Sequence, residues 1–178
     1  MTVHWTETAR RVTCLVGESA ASPAPGGGMI VVGLGNSLLS DDGVGLAVAA
    51  RLQATLPPDS EVTVIELQAG GLRLMEALVG HQRAVIVDAM VSGARPPGSV
   101  ALFNLESPPA TRNLFCAHDG DLSTALALGR DLGLQLPDQI EIIGIEAAEV
   151  ELFSETLSEP VAAALPIALA LVRERLGL

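Results

Sequence analysis

Two adjacent carboxylates, Asp41 and Asp42, end a glycine-rich stretch that reads Gly33-Leu34-Gly35-Asn36-Ser37-Leu38-Leu39-Ser40-Asp41-Asp42-Gly43-Val44-Gly45. An aspartate in front of a helix commonly caps it, because its side chain accepts hydrogen bonds from free backbone N–H groups. One member of the pair suffices for that work, and the other can turn its carboxylate toward the strand ends, where it could bind a metal. A third carboxylate, Asp88, closes the apolar run Ala84 to Val87, and its plainer reading is an Asx turn that opens the loop 89–98. His118 stands in the loop 105–120, two residues after Cys116 and beside Asp119 and Asp121. A solitary loop histidine is ordinarily a surface residue. Taken together, two strand-edge carboxylates and an imidazole make an O,O,N donor set suited to a divalent ion such as nickel or zinc, with positions left open for water or a substrate group. Imidazole binds metal only when neutral, so any affinity carried by His118 weakens as pH falls through its pKa.

Those side chains need a scaffold that brings them together. From Met29 onward, short apolar and β-branched runs alternate with longer segments of helical periodicity, which predicts a layered α/β domain. Strands are expected at 29–34, 61–67, 83–88, 99–104 and 139–146, and helices at 43–56, 71–79, 121–133 and 159–176. The first helix has Val44, Ala47, Val48 and Leu52 on one face. The run Ala84-Val85-Ile86-Val87 is apolar on both sides, as a central strand covered by helices must be. The fold expected is a three-layer α/β/α domain with a twisted, mostly parallel five-stranded sheet. The acidic loop then falls between the first strand and the first helix, where open α/β sheets carry their sites. The last helix has Ser158 as a cap and Pro160 in its first turn, and Pro166 is expected to kink it.

Composition narrows the function. A chain of 178 residues, 49% hydrophobic, can bury one sizeable core. Its net charge of −11 disfavours nucleic acid and anionic membranes as partners. Cys14 and Cys116 lack the spacing of a metal knuckle or redox pair, so a reducing cytoplasm is the simplest setting. No uninterrupted apolar run is long enough to span a bilayer, and no secretory signal is evident. Residues 1–28 read as an N-terminal extension ending in a flexible Ser/Ala/Pro/Gly linker, with 29–178 as the single domain. A dinucleotide loop is disfavoured because Leu38 occupies the place of its third glycine, and because two carboxylates fill the helix end that would receive phosphate. A cysteine hydrolase built on Cys116 and His118 is disfavoured because residues i and i+2 of an extended loop point apart.

The motif Gly33 to Gly45 resembles the opening motif of the nickel-iron hydrogenase maturation endopeptidases: a strand, a glycine pair with asparagine, a short apolar stretch, an acidic pair and a glycine-containing helix start. The resemblance continues through Val85-Ile86-Val87-Asp88-Ala89, the loop histidine, Ile142-Ile143-Gly144-Ile145-Glu146 and Leu157-Ser158, and so covers about residues 29–178. There are two departures. The glycines of Glu66-Leu67-Gln68-Ala69-Gly70-Gly71 are not directly preceded by an acidic residue, and Phe115-Cys116-Ala117-His118 has no Ser or Thr. The resemblance implies a peptidase that trims the C-terminal tail of a nickel-loaded hydrogenase large-subunit precursor. Asp42, Asp88 and His118 would be both the catalytic residues and the contacts to a nickel that the precursor supplies, so the free enzyme would hold metal weakly or not at all. A monomer is the simplest expectation. A non-catalytic carrier that keeps the same hydrogenase-binding surface and a nucleotide-binding α/β module are the alternatives.

Overall fold

The computed structural model describes residues 28–111, 113–114 and 121–178. His118, both cysteines and, apart from Gly28, the expected N-terminal extension lie outside the described residues. Five strands form one sheet: β1 (Met29–Leu34), β2 (Thr63–Leu67), β3 (Arg83–Met90), β4 (Val100–Asn104) and β5 (Gln139–Glu146). Their spatial order is β2-β1-β3-β5-β4. The pairs β1·β2, β1·β3 and β3·β5 are parallel, and the edge strand β4 runs antiparallel to β5.

Helices cover both faces because the central strands are apolar on both. On one face α2 (Gly71–Leu78) and α3 (Leu122–Asp131) pack Leu74, Leu78, Leu122 and Leu126 against Ile30, Val32, Ile86 and Ile142. On the other, α1 (Val44–Thr55) and α4 (Glu159–Leu176) pack Val48, Leu52, Leu165 and Val172 against Val31, Val85, Val87 and Ile143. Alternate residues of one strand thus serve opposite cores, as the two-residue strand period requires. The three-layer, mostly parallel reading holds. Truncating a side chain such as Ile86, fully buried in the middle strand, should cost about 2–5 kcal/mol.

Several details differ from the sequence expectation. β3 runs two residues past Asp88, because its ladder with β5 continues to the Met90–Glu146 pair after its ladder with β1 has stopped at Val87. A 3-10 turn, Ser40–Gly43, precedes α1. α4, by contrast, has the expected bounds, with Pro166 inside it. Ser158 is its N-cap by position, but its hydroxyl makes no cap bond and donates instead to Asp41 Oδ2 at 2.9 Å.

Candidate active site

The crevice lies beyond the carboxyl ends of β1 and β3, the switch point of a sheet whose strand order begins 2-1-3. Backbone packing brings the acidic turn there. A Cβ on Gly45 would sit 2.2 Å from the Leu34 carbonyl oxygen and 2.3 Å from that of Val87, so α1 begins directly against the ends of both strands. Gly35 has φ +143°, and a Cβ there would lie 1.8 Å from the Asp42 carbonyl oxygen. Only glycine allows the loop to fold back over its own acidic turn.

The two adjacent aspartates do different work. Asp41 is fully buried and reaches across the fold: Oδ2 accepts from the backbone N–H of Ala148 (2.8 Å) and Glu149 (3.0 Å), and Oδ1 from that of Ser158 (2.7 Å). It ties the turn to the loop after β5 and to the start of α4. Neither aspartate caps α1 through its side chain. Ser40 beside it has φ +44°, uncommon for a residue with a side chain, and is held there by bonds from its N–H to Ser154 O (2.7 Å) and from its hydroxyl to Thr156 O (3.0 Å).

Asp42 turns the other way, toward Asn36 and Asn113. It is 3% exposed, and its Oδ2 accepts from the Asn36 N–H at 2.8 Å. Asp88 is fully buried just past the last β1–β3 pair. Asn113 joins them: its Nδ2 lies 2.8 Å from Asp88 Oδ1 and 3.5 Å from Asp42 Oδ1. Asp88 Oδ2 is buried with no hydrogen-bond partner among the described residues. Burial pushes the Asp88 carboxyl up from 3.8 to about 7, with a smaller push from the Asp42 charge, while hydrogen bonds from Asn113 and Thr111 pull the other way. An unpartnered buried oxygen and a carboxyl raised by burial mark this pair as a candidate functional site.

The structure therefore brings Asp42 and Asp88 together. Among the described residues no group of three His, Cys, Asp or Glu side chains could hold a metal, and the third expected contact, His118, lies outside them. Asn113 was not singled out from sequence, where it is one polar residue in a polar loop. Its placement comes from tertiary contacts: Val91 N–H donates to Ala110 O at 2.9 Å, Thr111 bridges Met90, and Leu114 N–H donates to the Thr111 hydroxyl at 3.1 Å. Gly70 seats the same loop, since a Cβ there would lie 1.8 Å from the Asn113 carbonyl oxygen.

Phe153 is a second residue that sequence did not single out. It is 82% exposed, on a loop fixed to the acidic turn by the Leu39–Ser154 bridge and by the Ser154 N–H bond to Leu38 O (3.0 Å). Leu38 and Leu152 are exposed as well. A chain of low aromatic content thus does carry an exposed aromatic on this rim.

Fold and site define the class: a doubly wound α/β domain with a buried acidic pair in its crevice. The family model described as hydrogenase maturation protease (HycI) matches residues 46–175, and the chain belongs to that family of peptidases. The Escherichia coli hydrogenase 2 maturation protease is 26% identical over 124 residues, covering 69% of this chain and 75% of that protein. The solved structure of the hydrogenase maturating endopeptidase HybD from E. coli superposes with a TM-score of 0.70 at 25% identity, over 84% of this chain and 91% of that one. The [NiFe] hydrogenase maturation protease HybD from Thermococcus kodakarensis gives 0.65 at 29% identity, over 83% and 97%. Among the described residues no helix is long and apolar enough to cross a membrane.

Proposed function

We propose that this peptidase removes the C-terminal tail of a nickel-loaded hydrogenase large-subunit precursor, and that Asp42, Asp88 and His118 contact the nickel the precursor carries. One observation carries the reading: two buried carboxylates, one from the turn before α1 and one from β3, meet at the Asn113 amide, and Asp88 has an oxygen unpartnered among the described residues. Nickel is here part of the substrate. An ion of that class accepts carboxylate oxygen and imidazole nitrogen, and its charge would favour the ionised form of Asp88 that the apolar surroundings disfavour.

On this reading, coordination of the substrate's nickel fixes the scissile carbonyl beside the site, which converts cleavage into a positioned reaction. A water activated by a carboxylate or by the nickel adds its hydroxyl to the carbonyl carbon. The C–N bond breaks, and the tail leaves with the proton on its new amine. Leu38, Leu152 and Phe153 would receive apolar surface of the precursor near the metal, since an exposed aromatic at a site rim is a common anchor. The enzyme would act in the cytoplasm, where precursor is made, with no membrane or nucleic acid partner.

The test is cleavage of the cognate precursor by Asp42→Asn and Asp88→Asn, scored by the shift to the shorter species on a denaturing gel. Both variants should fold and fail to cleave. Retained cleavage in either, with cooperative unfolding, would remove that residue from the site. Binding of precursor without cleavage by the unmodified protein would favour the carrier alternative.

A further inference from the structure

The Asn113 amide stands where an ion bridging Oδ1 of Asp42 and Oδ1 of Asp88 would have to sit. Its nitrogen is a donor only, and it points at one oxygen of each carboxylate, 2.8 Å from Asp88 and 3.5 Å from Asp42. The oxygens themselves decide which end of the amide faces them, because two carboxylates call for N–H rather than C=O. The side chain is half-buried and its backbone is pinned on both sides, by the Thr111 bridge to Met90 and by Gly70, so it is held in place.

We propose that Asn113 is a positioning residue that occupies, in the free enzyme, the place of an ion bridging Oδ1 of Asp42 and Oδ1 of Asp88, so that an ion can bridge the pair there only by displacing its amide. The inference rests on the reading of Asp42 and Asp88 as metal contacts. An amide nitrogen cannot coordinate a cation while it carries its hydrogens, and the hydrogen bonds it makes to charged acceptors must be given up before an ion enters. A free ion brings only its own coordination energy to that exchange. A metal already seated in a protein substrate brings a docking surface as well, and the same displacement is then driven by the larger contact. Discrimination between free and substrate-borne metal follows as a difference of affinities. The neutral side chain also keeps the two carboxylates side by side without adding a third negative charge to the pair.

The experiment measures Ni2+ binding to the full chain by competition with a chromogenic chelator at pH 8.5, where protons compete least for the carboxylates. Asn113→Ala should bind Ni2+ at least about fivefold tighter than the unmodified protein, the scale of one charge-assisted hydrogen bond no longer displaced. Asn113→Ser, too short to span both carboxylates, should gain in the same direction and covers the case in which the alanine variant does not fold. Adding Asp88→Asn to either variant should erase the gain. Unchanged or weaker Ni2+ binding in a cooperatively folded variant would overturn the proposal, since a residue that merely supported the loop would give that result. A gain that survives Asp88→Asn would place the ion elsewhere and overturn the carboxylate reading as well.

Discussion

Replacing Asp88 by asparagine keeps the side chain's shape and removes its charge. In the unfolded chain the Asp88 carboxyl ionises near its ordinary 3.8, whereas burial in the folded protein raises it to about 7. Between those values the native state holds a proton that the unfolded state has released, so stability falls as pH rises through the window and levels off above it. Three units at about 1.4 kcal/mol each give roughly 4 kcal/mol in all, of which about 3 kcal/mol falls between pH 5 and pH 8. Asp88→Asn has no such dependence, while every other titrating group is common to both proteins. Urea unfolding at the two pH values should therefore show the variant gaining on the unmodified protein by about 1–2 M in midpoint on going from pH 5 to pH 8. The fixed distance between Asn113 Nδ2 and Asp88 Oδ1 favours this variant, because an asparagine carbonyl can accept the same bond. The same variant should lose cleavage, so that one substitution both removes the pH dependence and disables the site. Midpoints that move in parallel with pH would refute the argument that Asp88 is a desolvated acid in the folded state.

Other consequences follow from the division of labour between neighbours. Asp41→Ala should cost about 3 kcal/mol or more, read as a lower thermal midpoint, because it leaves the N–H groups of Ala148, Glu149 and Ser158 without their acceptor. Asp42→Asn should shift stability by less than about 1 kcal/mol yet abolish cleavage, so the two adjacent substitutions separate support from chemistry. Gly70→Ala should lower precursor cleavage by at least about tenfold while leaving most of the helical circular dichroism intact, because its Cβ meets the Asn113 carbonyl oxygen at 1.8 Å and displaces the loop that joins the carboxylates. Phe153→Ser should weaken precursor binding in a pull-down or calorimetric titration by about tenfold without lowering thermal stability, since the ring is 82% exposed in the free protein.

Most of the scaffold was legible because its signals are local. The run at Met29–Leu34 is apolar apart from Gly33, Gln139–Glu146 has isoleucine at 140, 142, 143 and 145, and both strands lie where the pattern puts them. The end of β3 was not legible, because an acidic residue in an apolar run reads as its boundary, whereas Asp88 is carried inside a strand whose pairing with β5 continues beyond it. The acidic pair could be recognised as one residue too many for a cap. Which member does which work depends on the loop after β5 and on Ser158, 117 positions away in the chain, and nothing in the local motif encodes that contact. Asn113 was invisible for the same reason: an asparagine in a loop acquires meaning only when the end of β3 and Gly70 aim it at two carboxylates. Phe153 was passed over because a low aromatic content says how few such residues there are and nothing about where they stand.

The most direct test of the central claim is the intact mass of the cognate hydrogenase large-subunit precursor after incubation with the protein, with and without nickel loaded into the precursor. The account predicts loss of a C-terminal tail from the nickel-loaded precursor alone, and no loss with Asp42→Asn. Equal trimming of nickel-free precursor, or trimming by Asp42→Asn, would contradict the claim that the carboxylate pair reads the metal.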